Sequence, residues 1–335
     1  MNKELENYMN ILGIDIGFGA VKAILSDENN NITKQFKIPS LIGITKANQY
    51  IKDNKIYNYK DNDYYVGDDA AALPSENIID ITEYKNLEYY APVFLAYVIN
   101  IIGVMPDAIV TGLSKAQIQN SGYFKDAISN FVVNGQQYTF SNTWVIPQGA
   151  GSKICIDTYG TDFPNKQTEF TGKTSYIGCD IGFSTLDLFR VIDGKTSASV
   201  FEGIEHQGVM KIASKIALLI KSKHQRTISL HEAMEVLDNN AYKLRGTSYD
   251  YTDEIIEIKK QYIQELLELV EEKYGKILDK CDYVFLSGGG SAFFKSGTFN
   301  DIKVLVPKSN FEYYNAIGQA MFGQIQAKKG NVKLS

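Results

Sequence analysis

Two stretches decide how this chain is read: ILGIDIGFGAVKAILSDENN at Ile11–Asn30 and YIGCDIGFSTLDLFRVIDGK at Tyr176–Lys195. Gly13, Asp15, Ile16, Gly17 and Phe18 of the first recur as Gly178, Asp180, Ile181, Gly182 and Phe183 of the second, half a chain further on. Self-similarity at a fixed offset is the mark of a duplicated unit. Each stretch reads as a β-hairpin: an apolar strand enters, a glycine-containing turn reverses it, and a second apolar strand (Val21–Leu25, Leu186–Ile192) leaves. In both, an aspartate stands at the end of the first strand, beside the turn.

The familiar phosphate and nucleophile templates do not fit. Gly172-Lys173-Thr174 ends like a Walker A loop, but Gln167 stands where its first glycine belongs. Gly17-Phe18-Gly19 is followed by Lys22 where a dinucleotide fingerprint needs glycine. No GxSxG elbow is present. What remains is the pair of hairpins and a third loop, Ser287-Gly288-Gly289-Gly290-Ser291, directly after an apolar strand. Successive backbone N–H groups in such turns form an anion-binding concavity, and glycine lets phosphate oxygens approach closely. An aspartate beside the turn repels bare phosphate unless a Mg²⁺ with its waters lies between them. Asp15 and Asp180, one from each half, therefore point to a metal-nucleotide clamped in a cleft. Lys22 supplies a cation where the second hairpin has Asp187, an asymmetry that would orient the nucleotide. Taken singly, a DxG hairpin is a tight turn and GGG a loop or helix cap; the combination carries the reading.

Outward from the hairpins, strands and helices alternate, which indicates α/β architecture. Strands with loops are expected over Thr33–Ile44 and Tyr57–Gly67, and strands at Ala108–Gly112, Tyr138–Ile146 and Tyr283–Leu286. Helices are expected at Asn86–Ile102, Gly122–Phe131, Gly149–Tyr159, Gly208–His224, Ser229–Leu237, Asp253–Asp279 and Gly318–Ala327. Ser229 with Glu232 forms a capping box. Ile255, Ile258, Tyr262, Leu266, Leu269, Val270 and Ile277 form a stripe that packs on a sheet. The polar loop Gly160–Lys173 reads as a domain junction.

The 335 residues suit two domains. A net charge of −5 speaks against a large DNA-binding surface. Cys155, Cys179 and Cys281 are too few and scattered for a disulfide framework, and three histidines without CxxC or HxxxH give no zinc ligand set. No apolar h-region or membrane-length run is visible, so the cytoplasm is the expected location.

In these motifs the sequence resembles the actin–Hsp70–sugar-kinase superfamily. Asp15–Lys22 matches its first phosphate loop, Asp180–Asp187 the second, and Val284–Gly290 the adenosine loop; Gln148-Gly149 and Asn315–Gly318 match the connecting segments. Ile38–Gly43, Tyr65–Ala70, Ile109–Leu113 and Gly203–Ile212 bring it nearest to ParM-like bacterial actins, the actins of plasmid segregation. The resemblance covers essentially the whole chain. It implies an actin-like, ribonuclease H-like duplicated two-lobe fold with the nucleotide between the lobes. Lobe I would be residues 1–168 completed by 308–335, and lobe II residues 169–307. Asp15 and Asp180 would hold Mg²⁺ through water, and Gln148 would position the attacking water. Gly17, Phe18, Gly19 and Lys22, with Gly182, Phe183, Ser184 and Thr185, would clamp the phosphates of ATP or GTP. Gly288, Gly289 and Gly290 would hold the adenosine, and the helix from Gly208 the base or ribose, through Lys211 or Lys215.

The function so implied is a Mg-dependent nucleoside triphosphatase that assembles head to tail and comes apart after hydrolysis. Its partners would be itself and a DNA-bound adaptor of a plasmid partition system, with no direct DNA or membrane contact. The alternative is a small-molecule kinase of the same superfamily, though such kinases are usually longer. A chaperone lacks room for a peptide-binding domain after Gly318. A membrane-bound cell-shape actin would need an apolar terminal helix, which neither Met1–Asn10 nor Ala327–Ser335 offers.

Overall fold

Both glycine turns close antiparallel hairpins, and in the same register. Ile11–Ile16 pairs with Ala20–Ser26 so that Asp15 faces Lys22. Tyr176–Ile181 pairs with Thr185–Val191 so that Asp180 faces Asp187. The turns close alike: Gly17 N–H donates to the Ala20 carbonyl and Gly182 N–H to that of Thr185, at 3.3 and 2.9 Å. The computed structural model describes residues 9–44, 55–79, 81–166, 172–299 and 301–332. The lobe boundary read at 168/169 lies outside them, as do the first eight residues and the last three.

Each hairpin grows into a sheet by the same rule, an antiparallel strand on one side and parallel strands on the other, to which the second sheet adds an antiparallel edge strand, Gly297–Phe299. The first adds Ile32–Pro39 on one edge and Ala108–Leu113 and Thr143–Pro147 on the other, five strands in all. The second adds Glu202–Glu205 on one edge and Tyr283–Ser287, Ile302–Leu305 and Gly297–Phe299 on the other, six strands in all. The repeat in sequence is thus a repeat in topology, giving the duplicated two-lobe α/β fold. Ile11–Ile16 and Tyr176–Ile181 are buried along their whole length, as strands covered on both faces must be.

The expected helices supply that cover. Tyr84–Ile102 buries Leu87, Val93, Phe94 and Leu95 in the first core. Met210–His224 and Thr252–Leu278 bury Ile212, Ile216, Ile255, Tyr262, Leu266 and Val270 in the second. The capping box forms: Glu232 N–H donates to Ser229 Oγ at 3.1 Å, and Ser229 N–H to Glu232 Oε2 at 2.7 Å.

Three elements differ from the sequence reading. Tyr138–Ile146 is not one strand. Gln136–Thr139 makes a small hairpin with Asn130–Val133, whereas Thr143–Pro147 joins the main sheet. Asn142 makes the break: its side-chain amide donates to the Asp107 carbonyl and its own carbonyl accepts from Ile109 N–H, hooking the chain onto the sheet. The helix expected to reach Phe131 stops at Ser129, because Asn130 is already extended. The last helix starts at Tyr314, not Gly318, so Asn315 lies inside it.

That last helix, Tyr314–Lys328, returns to the first sheet and packs on three of its strands. It lies close because Gly13 carries no side chain: a Cβ there would stand 2.2 Å from the Ala316 carbonyl oxygen. It also crosses the helix Ala150–Tyr159 with backbone against backbone. A Cβ on Gly318 would fall 1.7 Å from the Gly151 carbonyl oxygen, and one on Gly151 2.4 Å from that of Asn315.

Candidate functional site

The two turns meet. A Cβ on Gly19 would lie 2.7 Å from Phe183 Cβ, so the tip of the first hairpin rests on the second. In the second turn the carbonyls of Gly182, Phe183 and Ser184 accept from the N–H groups of Val209, Met210 and Gly208, which begin the helix Met210–His224. In the first turn Ser40 does the same work, donating Oγ–H to the Gly17 carbonyl and N–H to that of Gly19. With the carbonyls of Gly17, Gly19, Gly182, Phe183 and Ser184 held on one side, Phe18, Gly19, Phe183 and Ser184 keep N–H groups that meet no acceptor among the described residues. Free N–H groups in successive turn residues make an anion cradle. Gly208 must be glycine for the helix start to sit there, since a Cβ would be 2.4 Å from the Phe183 carbonyl.

Around this cradle the fold gathers Asp15, Lys22 and Gln148 from one half and Asp180 and Asp187 from the other. Lys22 Nζ stands 3.4 Å from Asp15 Oδ2, and Gln148 Nε2 donates to Asp15 Oδ1 at 3.0 Å. Burial lowers the Lys22 ammonium, but the charges of Asp15, Asp180 and Glu312 outweigh it and hold the group above its ordinary value. Asp180 and Asp187 are 5% and 2% exposed. Burial, then the charges of Asp15 and Asp187, pushes Asp180 up to about 7 against the pull of Lys22 and a Ser152 hydrogen bond. Burial also pushes Asp187 up to about 6, although Ser114 and Thr185 donate hydroxyls to its two oxygens at 2.7 and 2.8 Å.

Asp180 is held by residues that sequence reasoning missed. Ser152 Oγ donates to its Oδ2 at 3.2 Å, and Asn315 Nδ2 to the same oxygen at 2.6 Å. Asn315 Oδ1 in turn accepts from Gly149 and Ser152 N–H at the start of the helix Ala150–Tyr159. One buried amide thus ties the returning helix, the crossing helix and the second hairpin together. The sequence marked Asn315–Gly318 as a connecting segment, but no local pattern links Asn315 to a strand so far away.

The third loop also joins the cluster. Gly288 has φ +84°, and a Cβ there would lie 2.3 Å from Asp180 Oδ1. Gly290 packs on Ile181 and Val209, while Gly289 faces open space. Lys215 and Lys211 reach across to the neighbouring helix Thr252–Leu278, where their Nζ atoms pair with Glu265 at 2.9 and 2.7 Å. Gln207, Lys211, Tyr262 and Glu265 line a shallow pocket there.

Among the described residues no group of three or more His, Cys, Asp or Glu side chains could hold a metal ion. Mg²⁺ keeps several waters and takes one or two carboxylates plus phosphate oxygens, so it needs no all-protein cage. Asp15 and Asp180, buried and facing one cleft, fit such a role. Among the described residues no helix is long and apolar enough to cross a membrane.

Two lobes built on one repeated hairpin, closing on a glycine cradle flanked by aspartates, define the actin fold. Two family models match in sequence: the actin-like protein N-terminal domain over residues 13–151, and the C-terminal region of the archaeal MreB-like actin homologues over residues 179–297. The chain is an actin homologue. No curated protein sequence matches it significantly. Solved structures do, at low identity. A non-polymerisable quadruple mutant of pCBH ParM is 20% identical with a TM-score of 0.72, covering 95% of this chain and 99% of its own. A ParM from a 15-stranded Clostridium botulinum filament is 18% identical with a TM-score of 0.69, over 95% and 99%. The archaeal actin homologue Ta0583, in complex with ADP, is 15% identical with a TM-score of 0.71, over 96% and 100%.

Proposed function

We propose that the chain is a Mg-dependent ATPase or GTPase that polymerises with nucleotide and comes apart after hydrolysis, driving the segregation of plasmid DNA. The observation that carries this reading is the meeting of two equivalent turns, Gly19 on Phe183, with Asp15, Lys22, Gln148, Asp180 and Asp187 around them. The ADP complex of Ta0583 and the filament of the botulinum ParM, both of the same fold, support it.

In this reading residues 1–168 with 308–335 form one lobe and 169–307 the other. Backbone N–H groups of the turns bind the β- and γ-phosphates, and Lys22 adds a cation. Mg²⁺, held through water by Asp15 and Asp180, would neutralise charge on the phosphates. Gln148, fixed by its bond to Asp15, holds a water in line with the γ-phosphate. Gly288–Gly290 and the helix carrying Lys211 and Lys215 flank the nucleoside. Assembly is head to tail, an open heterologous contact. An adaptor bound to plasmid DNA holds the filament end, and the work is done in the cytoplasm. Of the two carboxylates a kinase could use as base, Asp187 has a hydroxyl donating to each oxygen.

The test is light scattering, followed by pelleting, on adding Mg²⁺ with ATP or GTP to the purified chain. A rise followed by decay supports the reading and names the base. Nucleoside diphosphate formed only in the presence of a small-molecule acceptor, with the γ-phosphoryl group carried on that acceptor and without any rise, overturns it in favour of a kinase.

A further inference from the structure

Gln319 lies on the returning helix, wholly buried, and neither its Nε2 nor its Oε1 has a hydrogen-bond partner among the described residues. An unpaired buried amide is costly, and natural proteins keep few of them. Its neighbourhood gives the reason. The strand Ala108–Leu113 passes beneath it with Gly112, and the point where a Gly112 Cβ would stand lies 2.8 Å from Gln319 Nε2 and 3.2 Å from Gln148 Oε1. The two amides therefore approach each other across the space that glycine leaves. Gln148 already spends its Nε2 on Asp15, which leaves its oxygen directed to this side. A carbonyl oxygen has two lone pairs and can accept twice.

We propose that Gln319 is a positioning residue for Gln148, donating from Nε2 to Gln148 Oε1, directly or through one water, when nucleotide is bound. Gln148 is then held at both ends, by Asp15 and by Gln319, and the second lone pair of its oxygen is aimed at the attacking water. The proposal rests on the hydrolytic reading of the site. Gly112 serves it by carrying no side chain at the meeting point.

The experiment compares wild type, Gln319→Leu, Gln148→Leu and the double variant, under assembling conditions with Mg²⁺ and the preferred nucleotide. Turnover, nucleotide affinity by titration and the thermal midpoint are read for each. Gln319→Leu should lower kcat about tenfold, the scale of one well-placed hydrogen bond, with affinity unchanged. Its thermal midpoint should stay level or rise, since an unpaired amide is gone. Added to Gln148→Leu, it should lower kcat no further. An unchanged kcat in Gln319→Leu, or a further loss in the double variant, overturns the proposal. If Gln319→Leu does not fold, Gln319→Met, closer in shape, takes its place with the same two readings. A wild type that binds nucleotide without releasing phosphate overturns the hydrolytic reading itself, before any variant is compared.

Discussion

The two hairpins share a backbone and differ in charge. In the first, Asp15 faces Lys22 across the strands and the pair is neutral; in the second, Asp180 faces Asp187 and two carboxylates are buried side by side. Identical register gives opposite electrostatics because one residue differs, Lys22 against Asp187. The first hairpin pairs its own charges and takes one outside donor on Asp15, Gln148. The second leans on others: Asp187 takes hydroxyls from Ser114 and Thr185, and Asp180 takes Ser152 and Asn315. Three of these four donors, Ser114, Ser152 and Asn315, come from elements that pack with the first hairpin's sheet, so the charged half of the site is held from across the cleft. A duplicated unit has in this way become an asymmetric one, with a cation on one wall and an excess of anions on the other.

The comparison can be broken most severely at Asp180. Asp180→Ala should cut nucleotide hydrolysis by roughly a hundredfold or more, since a group fixing charge at the reacting phosphate is lost. Circular dichroism should show the fold intact, and undiminished turnover would remove Asp180 from the mechanism. A smaller effect is expected where the hairpins touch. Gly19→Val places a branched Cβ against Phe183 Cβ, an atom that cannot swing aside, so the turns must part. Nucleotide affinity should fall about tenfold, as a loss of roughly 1.4 kcal/mol implies, and a fluorescent-nucleotide titration reads it. The smallest effect sharpens the comparison. Asp180 and Asp187 bind protons more tightly in the folded chain than at their ordinary value of 3.8. Their contribution to nucleotide-free stability is therefore full below about pH 4 and is lost as pH rises through 6 and 7. Asp187→Asn, which cannot ionise, should flatten the fall in thermal midpoint between the aspartate's ordinary value of 3.8 and its folded value of about 6, by about a few degrees at most. A slope unchanged in the variant would show that Asp187 does not titrate there.

Much of this arrangement was legible in the sequence because it is local. The strand–turn–strand pattern, the aspartate at each strand end, the Ser229–Glu232 box and the stripe of Thr252–Leu278 all depend on neighbours a few residues apart. The register that sets Asp15 against Lys22 and Asp180 against Asp187 follows from equal turn lengths. What escaped reading depends on distant contact. Asn315 bonds to Asp180 only because one helix returns to the first sheet, and Ser114 reaches Asp187 only across the cleft. Gly13 and Gly112 look like weak points of strands until a helix is laid on them. The division of Tyr138–Ile146 turns on what Asn142 meets at Asp107 and Ile109, partners about thirty residues back in the chain.

The crossing of Gly151 and Gly318 carries a consequence for how this chain can vary. Its nearest contacts are main chain on main chain, and the one side-chain atom beside them, Asn315 Oδ1 at 2.9 Å from a Gly151 Cβ, is held by the Gly149 and Ser152 N–H groups. Substitution at either position cannot be compensated at the other, because the other already has nothing left to give up. A randomised library of this protein should therefore return glycine at both positions independently, with no covarying pairs. Gly103, Gly122 and Gly135, where a Cβ would meet nothing within 4 Å, set the contrast in the same library. At Gly122, which has no left-handed backbone to protect, the full range of side chains should survive selection.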